Sequence, residues 1–180
     1  SIFSGLGAFL GFRYDDYSEY EKVFNPSLGL VKNYEKLNLR FNWGMGFRSP
    51  TFLERYIDWN HAQYNYTVKG NESLKPEYSK GYTLGMDFAF SDRYEISLSG
   101  RHTKYINLIE SINVGSGILS YVNLENAINY SFELNQSWKP TKKTNIDFSF
   151  QASKRYNNNS TILPNNNPAT FTISLNHEYK

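Results

Sequence analysis

The sequence predicts an all-β protein folded as an antiparallel meander of about eight strands, and three observations carry that prediction. Apolar and polar residues alternate with period 2 along most of the chain, as they do in strands with two unlike faces. The composition agrees: aromatic residues make up 17%, with 15 Tyr and 13 Phe, while the mean hydropathy is a polar −0.60. No stretch approaches the ~20 apolar residues of a membrane-crossing helix. The connections, finally, fall into short turns and long polar segments.

Taken in order, a strand at about 5–17 carries Leu6, Ala8, Leu10, Phe12 and Tyr14 on one face, and a second at about 24–33 carries Leu28 and Leu30. Alternation is cleanest at 37–47, where Leu37, Leu39, Phe41, Trp43, Met45 and Phe47 oppose Asn38, Arg40, Asn42, Gly44 and Gly46. It returns at 82–90 with Tyr82, Leu84, Met86, Phe88 and Phe90, and in Tyr94, Ile96 and Leu98. A run at 122–138 places Val122, Leu124, Ile128, Tyr130, Phe132, Leu134 and Trp138 against Asn123, Glu125, Asn129, Ser131, Glu133 and Asn135. Two shorter copies follow, Ile146 to Ala152 and Phe171 to Tyr179; no segment reads as a helix.

Short turns are expected at 33–36, 91–93 and 140–144, and longer polar segments at 48–80, 113–120 and 154–168. In an up-and-down meander all the short turns then fall at one end and the long loops at the other. That asymmetry belongs to transmembrane barrels of the bacterial outer membrane. Several strands also reach the ~9–11 residues that a membrane crossing needs, against ~5–6 in soluble sheets. A soluble sandwich or lipocalin-like barrel would turn the same apolar face inward. Lipid is favoured because the opposite face is rich in Asn, Ser, Gly and charge, and because Trp43, Tyr82, Tyr94, Trp138 and Tyr179 gather near segment ends as in interfacial belts.

A net charge of +2 lacks the basic footprint of a nucleic-acid binder, and the absence of cysteine excludes disulfides, thiolate metal sites and a cysteine nucleophile. The opening "SIFSGLGAFLGFRYDDY" has no basic leader region and reads directly into a strand, as though continuing a longer polypeptide. No nucleophile elbow, phosphate loop or zinc motif is present. The acidic "YDDYSEYE" lacks EF-hand spacing. Asp58 three residues before His61, with no serine partner, does not make an enzyme, and none is expected.

"FRSP" at 47–50 and "GNESLKPE" at 70–77 resemble the Phe-Arg-Ala-Pro and Asn-Pro-Asn-Leu-Lys-Pro-Glu boxes of TonB-dependent outer-membrane receptors. "FRYDDY", "NPSLGLV" and "YVNLENAINYSFELN" agree in the right order, with Ser131 where the family's strand has glycine. The resemblance implies a segment of a twenty-two-stranded barrel that closes around an N-terminal plug and takes up scarce nutrients with energy from TonB. Neither plug nor TonB box is visible, so residues 1–180 are expected to be a run from the C-terminal half of the barrel. A small closed barrel with a structural or adhesive role is the alternative. Implied partners are outer-membrane lipid, the rest of the barrel, the TonB complex through a plug outside this chain, and a ligand-capturing surface lipoprotein.

Independently of the resemblance, Pro50 and Pro76 lack an amide donor and can end strand pairing where the chain leaves the sheet. Arg48 and Glu77 stand at the two feet of the 48–80 excursion, where an ion pair would join them. A loop of that length demands a function. The haem branch of the family carries a histidine between the two boxes, and His61 lies there. Imidazole and tyrosinate are both axial ligands to haem iron, so His61 is the expected ligand and Tyr64 or Tyr66 the substitute. Tyr56, Trp59 and Tyr64 offer flat surfaces for a porphyrin. No prosthetic group is expected; haem or a ferric chelate would be cargo. A siderophore would instead use arginines such as Arg13, Arg40, Arg48, Arg55 and Arg101, and cobalamin is a third possibility.

Overall fold

The computed structural model describes residues 5–157, 162–163 and 169–179. Its ten strands form one sheet: β1 (Leu6–Asp15), β2 (Val23–Asn33), β3 (Leu37–Arg48), β4 (Asp58–His61), β5 (Tyr66–Lys69), β6 (Glu77–Ser91), β7 (Tyr94–Gly115), β8 (Ile118–Thr141), β9 (Thr144–Asn157) and β10 (Ala169–His177). Eight of them follow one another as an antiparallel meander, β1-β2-β3-β6-β7-β8-β9-β10, and these are the eight that the alternation predicts. Among the described residues β1 and β10 are not paired with each other, so the sheet is open.

The register keeps the two faces separate across the whole sheet. Leu10 faces Leu28, which faces Trp43, then Tyr82, His102 and Tyr130, one row on six strands. Lower on the same face Met86, Leu98, Leu134, Phe150 and Phe171 form a second row. Tyr94 opposite Trp138 marks the turn end. From Tyr130 to Trp138 is eight residues, about 26 Å of strand, which matches the ~25 Å apolar band of an outer-membrane barrel. The other face carries paired polar groups, among them Arg40 with Asp87, Ser97 with Asp87, and Gln151 with Glu133.

Turns at the narrow end are short for local reasons. Ser91 Oγ accepts from the Arg93 amide and Thr141 Oγ1 from the Lys143 amide, so each hydroxyl closes its own turn. At the opposite end the structure departs from expectation in three ways. Residues 113–120 are not a long polar segment: β7 and β8, 22 and 24 residues long, run on to a tight reversal at Ser116 (φ 48) and Gly117 (φ 75). The 154–168 segment begins inside β9, and its residues 158–161 and 164–168 lie outside the described residues.

The third departure concerns the faces of β7 and β8 above the aromatic row. Asn107 adopts a left-handed conformation (φ 55) between the pairs Ile106–Asn126 and Leu108–Leu124. Beyond it, Leu124 packs with Leu108, Ala127, Leu163 and Tyr105, residues of both parities, in a small core. Leu124 therefore does not continue the apolar face of Tyr130 to Trp138.

Candidate functional site

The long connection between β3 and β6 is folded. Thr51 caps a five-residue helix, α1 (Phe52–Tyr56), through a capping box: the Glu54 amide donates to Thr51 Oγ1 at 3.2 Å, and the Thr51 amide to the Glu54 carboxylate at 2.7 Å. "TFLE" is a sequence signal for such a start, although no helix was expected.

The predicted ion pair between the feet is present, and it is larger than two residues. Arg48 and Glu77 face each other in the β3–β6 ladder, with Nη2 3.2 Å from the Glu77 carboxylate, while Nη1 reaches both oxygens of Glu54 at 3.0 Å. Glu77 also accepts from the Ile109 amide at 3.1 Å, which ties the feet to β7. Desolvation pushes the Glu54 carboxyl upward, but the bonds from Thr51 and Arg48 outweigh it and hold it below its ordinary range.

Beyond α1 the chain forms the β4–β5 hairpin. Its base closes through Gly70 N to Ile57 O (2.6 Å) and Asn71 N to Glu54 O (2.9 Å). A Cβ on Gly70 would lie 2.4 Å from the Arg55 carbonyl oxygen, so this close approach requires glycine. The hairpin docks edgewise on the top of β8, where β5 pairs in parallel, Thr67 to Lys69 against Ile118 to Ser120. Its tip meets the tip of β7–β8: the Thr67 amide donates to Gly117 O at 2.9 Å, and a Cβ on Gly117 would stand 2.4 Å from Asn65 O.

The "GNESLKPE" segment then returns along β8. Asn71 Oδ1 accepts from both the amide and the hydroxyl of Ser73, and its Nδ2 donates to Tyr121 O. Asn123 accepts from the Lys75 amide (2.8 Å) and donates to the Lys75 carbonyl (2.9 Å), while Leu74 is buried. Asn71 and Asn123 thus explain the box as a fastener, a role that residue type and spacing alone do not reveal.

Of the candidate ligand residues, the hairpin brings four together. His61 lies between Trp59 (centroids 3.9 Å) and Tyr66 (4.8 Å, interplanar 24°), which is its cross-strand partner, with Tyr64 at 6.0 Å. Its Nε2 is shielded from solvent and has no hydrogen-bond partner. Trp59 and Tyr64 are exposed, at 55% and 67%. Tyr56 is placed elsewhere, against Phe52 (4.9 Å) and beneath the Arg55 guanidinium. Arg48 serves the feet of the loop. The other arginines are also engaged: Arg13 with Asp15, Arg40 with Asp87, Arg55 with Glu19, and Arg101 with the Thr83 hydroxyl.

Comparison with known proteins bears on the fold. The chain is 28% identical over 125 residues to Hemoglobin and hemoglobin-haptoglobin-binding protein B of Haemophilus influenzae, covering 69% of this chain and 11% of that protein. Protein C of the same organism is 29% identical over 101 residues, covering 56% and 9%. The chain therefore spans about a tenth of the length of these relatives. Among solved structures, the siderophore receptor PirA from Pseudomonas aeruginosa superimposes with a TM-score of 0.73 at 22% identity, over 95% of this chain and 31% of that one. The copper transporter OprC gives 0.72 at 17%, over 89% and 25%. The family model for the β-barrel of TonB-dependent receptors matches residues 3–180, and the chain belongs to that family, as part of the wall of an outer-membrane barrel.

Proposed function

We propose that this chain forms wall and loops of a TonB-energised outer-membrane receptor for an iron-bearing ligand, with haem as the leading candidate. Residues 48–80 are its extracellular loop, and His61 is the axial ligand to the haem iron. The observation that carries this reading is the cluster on the β4–β5 hairpin: a histidine whose Nε2 lacks any partner, flanked by exposed Trp59 and Tyr64. A buried polar nitrogen without a partner calls for an explanation, and turning the ring out of its stack would deliver that nitrogen to iron. Tyr64 supplies a phenolate donor beside it. The relatives named for hemoglobin binding support a haem-bearing ligand, captured directly or through a surface lipoprotein. The TonB complex would act through a plug belonging to the rest of the protein.

The second reading, a ferric siderophore, draws on the solved siderophore receptors. It is the weaker one because Arg13, Arg40, Arg48 and Arg55 already hold carboxylates of this chain. Haem titration of the full receptor separates the two. His61→Ala should weaken binding by at least about tenfold, ~1.4 kcal/mol, with a changed haem absorbance and poor growth on haem as sole iron source. Unchanged absorbance and growth would remove His61 from the site. Binding of a ferric chelate without haem would favour the siderophore reading.

A further inference from the structure

Besides Lys32 toward the turn end, paired with Leu6 and Leu39, the apolar face carries three lysines toward the loop end, where lipid-facing residues are expected to be apolar or aromatic. Lys80 and Lys104 face each other directly in the β6–β7 ladder, one row above Tyr82 and His102 on the loop side. Lys154 faces Tyr130 in the aromatic row itself. All three are exposed, and none takes part in an ion pair found among the described residues. Lys80 lies over the Trp43 ring at 5.7 Å, but no carboxylate among the described residues offsets the collar, and like charges directly opposite in a ladder repel, so an anion would stabilise it. Level with the aromatic row, the anion available to an outward-facing side chain is a lipid headgroup phosphate.

Below the collar the face opens into two lanes. At Gly100, between Leu84 and Phe132, a Cβ would meet nothing within 4 Å, and an apolar groove of ≈590 Å³ extends from there across the sheet past Leu84 and Phe41 to Leu6, with Lys32 in its lining. On the other side of Phe132, its partner Ala152 leaves a second groove of ≈390 Å³, bordered by Tyr130 and Tyr156 and topped by Lys154. Phosphate partners above two side-by-side acyl lanes describe a multi-acylated, phosphorylated lipid.

We propose that this face is a docking site for the phosphorylated glycolipid of the outer leaflet, with phosphates on Lys80, Lys104 and Lys154 and acyl chains in the Gly100 and Ala152 lanes. The proposal rests on the loop end facing outward. It does not depend on which ligand is transported. The test uses the full receptor purified from outer membranes in mild detergent, with bound lipid counted by native mass spectrometry and by lipid A analysis. Wild type should retain lipopolysaccharide, and Lys80→Gln/Lys104→Gln/Lys154→Gln should bind it at least about tenfold more weakly, since the phosphates lose their three cationic partners. Ala152→Phe, which fills one lane and spares the lysines, should also lose it. Lys139→Gln/Lys142→Gln/Lys143→Gln at the turn end should not. Equal retention by the collar variant, or equal retention of phosphatidylglycerol by wild type, would overturn the proposal. Loss only in the turn-end variant would overturn both it and the orientation beneath it.

Discussion

The barrel wall and the loop end are stabilised in different ways. Every apolar residue buried among the described residues lies at the loop end: Val23, Phe47, Leu74, Leu108, Ile109, Ala127 and Leu163. The wall has no core of its own. It is a single layer whose apolar side chains, such as Leu10 at 84% exposure, are left for lipid to cover. Its fold is thus written as a contrast between two solvents, whereas the loop end folds as soluble domains do, by burial and specific hydrogen bonds.

The sharpest way to test that difference is a charge at mid-wall. Leu134 lies midway between Tyr130 and Trp138 on the apolar face, and Asn135 is its neighbour on the polar face. Leu134→Arg should cost ~2–4 kcal/mol and block membrane assembly of the full receptor, as charges at the bilayer midplane do. Asn135→Arg should be tolerated. Heat-modifiable electrophoretic mobility after assembly into liposomes measures both. Equal tolerance would mean that this face does not meet lipid.

The same difference explains what was legible in the sequence. Eight wall strands could be read because period 2 reports a two-solvent layer directly, and the register of β3 with β6 preserved every inferred face. The pattern stopped being informative at Asn107, where one left-handed residue lets Leu108 and Tyr105 share a core. The expected loop at 113–120 fails because polar residues such as Asn113 and Ser120 sit in the paired ends of β7 and β8, where no apolar alternation marks the strand. In the loop, His61, Trp59, Tyr64 and Tyr66 are candidates by residue type alone. Their meeting depends on the β4–β5 pairing, a long-range docking no local pattern encodes. Glu54 could have been found from "TFLE"; Asn123 as the anchor of Lys75 could not.

Breaking the loop end alone should leave the wall intact. Gly117 is the natural place, because its φ of 75° disfavours side chains and its Cβ would stand 2.4 Å from a backbone oxygen. Gly117→Val should cost ~1–3 kcal/mol, spent on undocking the β4–β5 hairpin from β8. Hydrogen exchange at Thr67, whose amide now bonds to Gly117, should rise sharply while Tyr82 to Phe88 stay protected. If haem capture needs the hairpin, this variant should lose it with every candidate donor still present. Exchange rising equally in the wall would show that the two regions fold as one unit.

The smallest effect expected is electrostatic, at the foot of the loop. The Glu54 carboxyl is held below its ordinary range, so its unfolded form takes up a proton first as pH falls. Its contribution is therefore complete above the unfolded carboxylate pKa, ~4.3, and disappears as acid reaches the lower folded value. Partial exposure and salt screening keep it under about 1 kcal/mol. Glu54→Gln is the informative variant, since glutamine can still complete the capping box with Thr51 but cannot pair with the charge of Arg48. Near neutral pH the variant should exchange faster than wild type at α1 and at Gly70. The two should converge as pH falls through the lowered folded value, where wild type loses the charge that glutamine never had. A constant gap between them across the acid range would assign Glu54's contribution to the cap and leave Arg48 to Glu77.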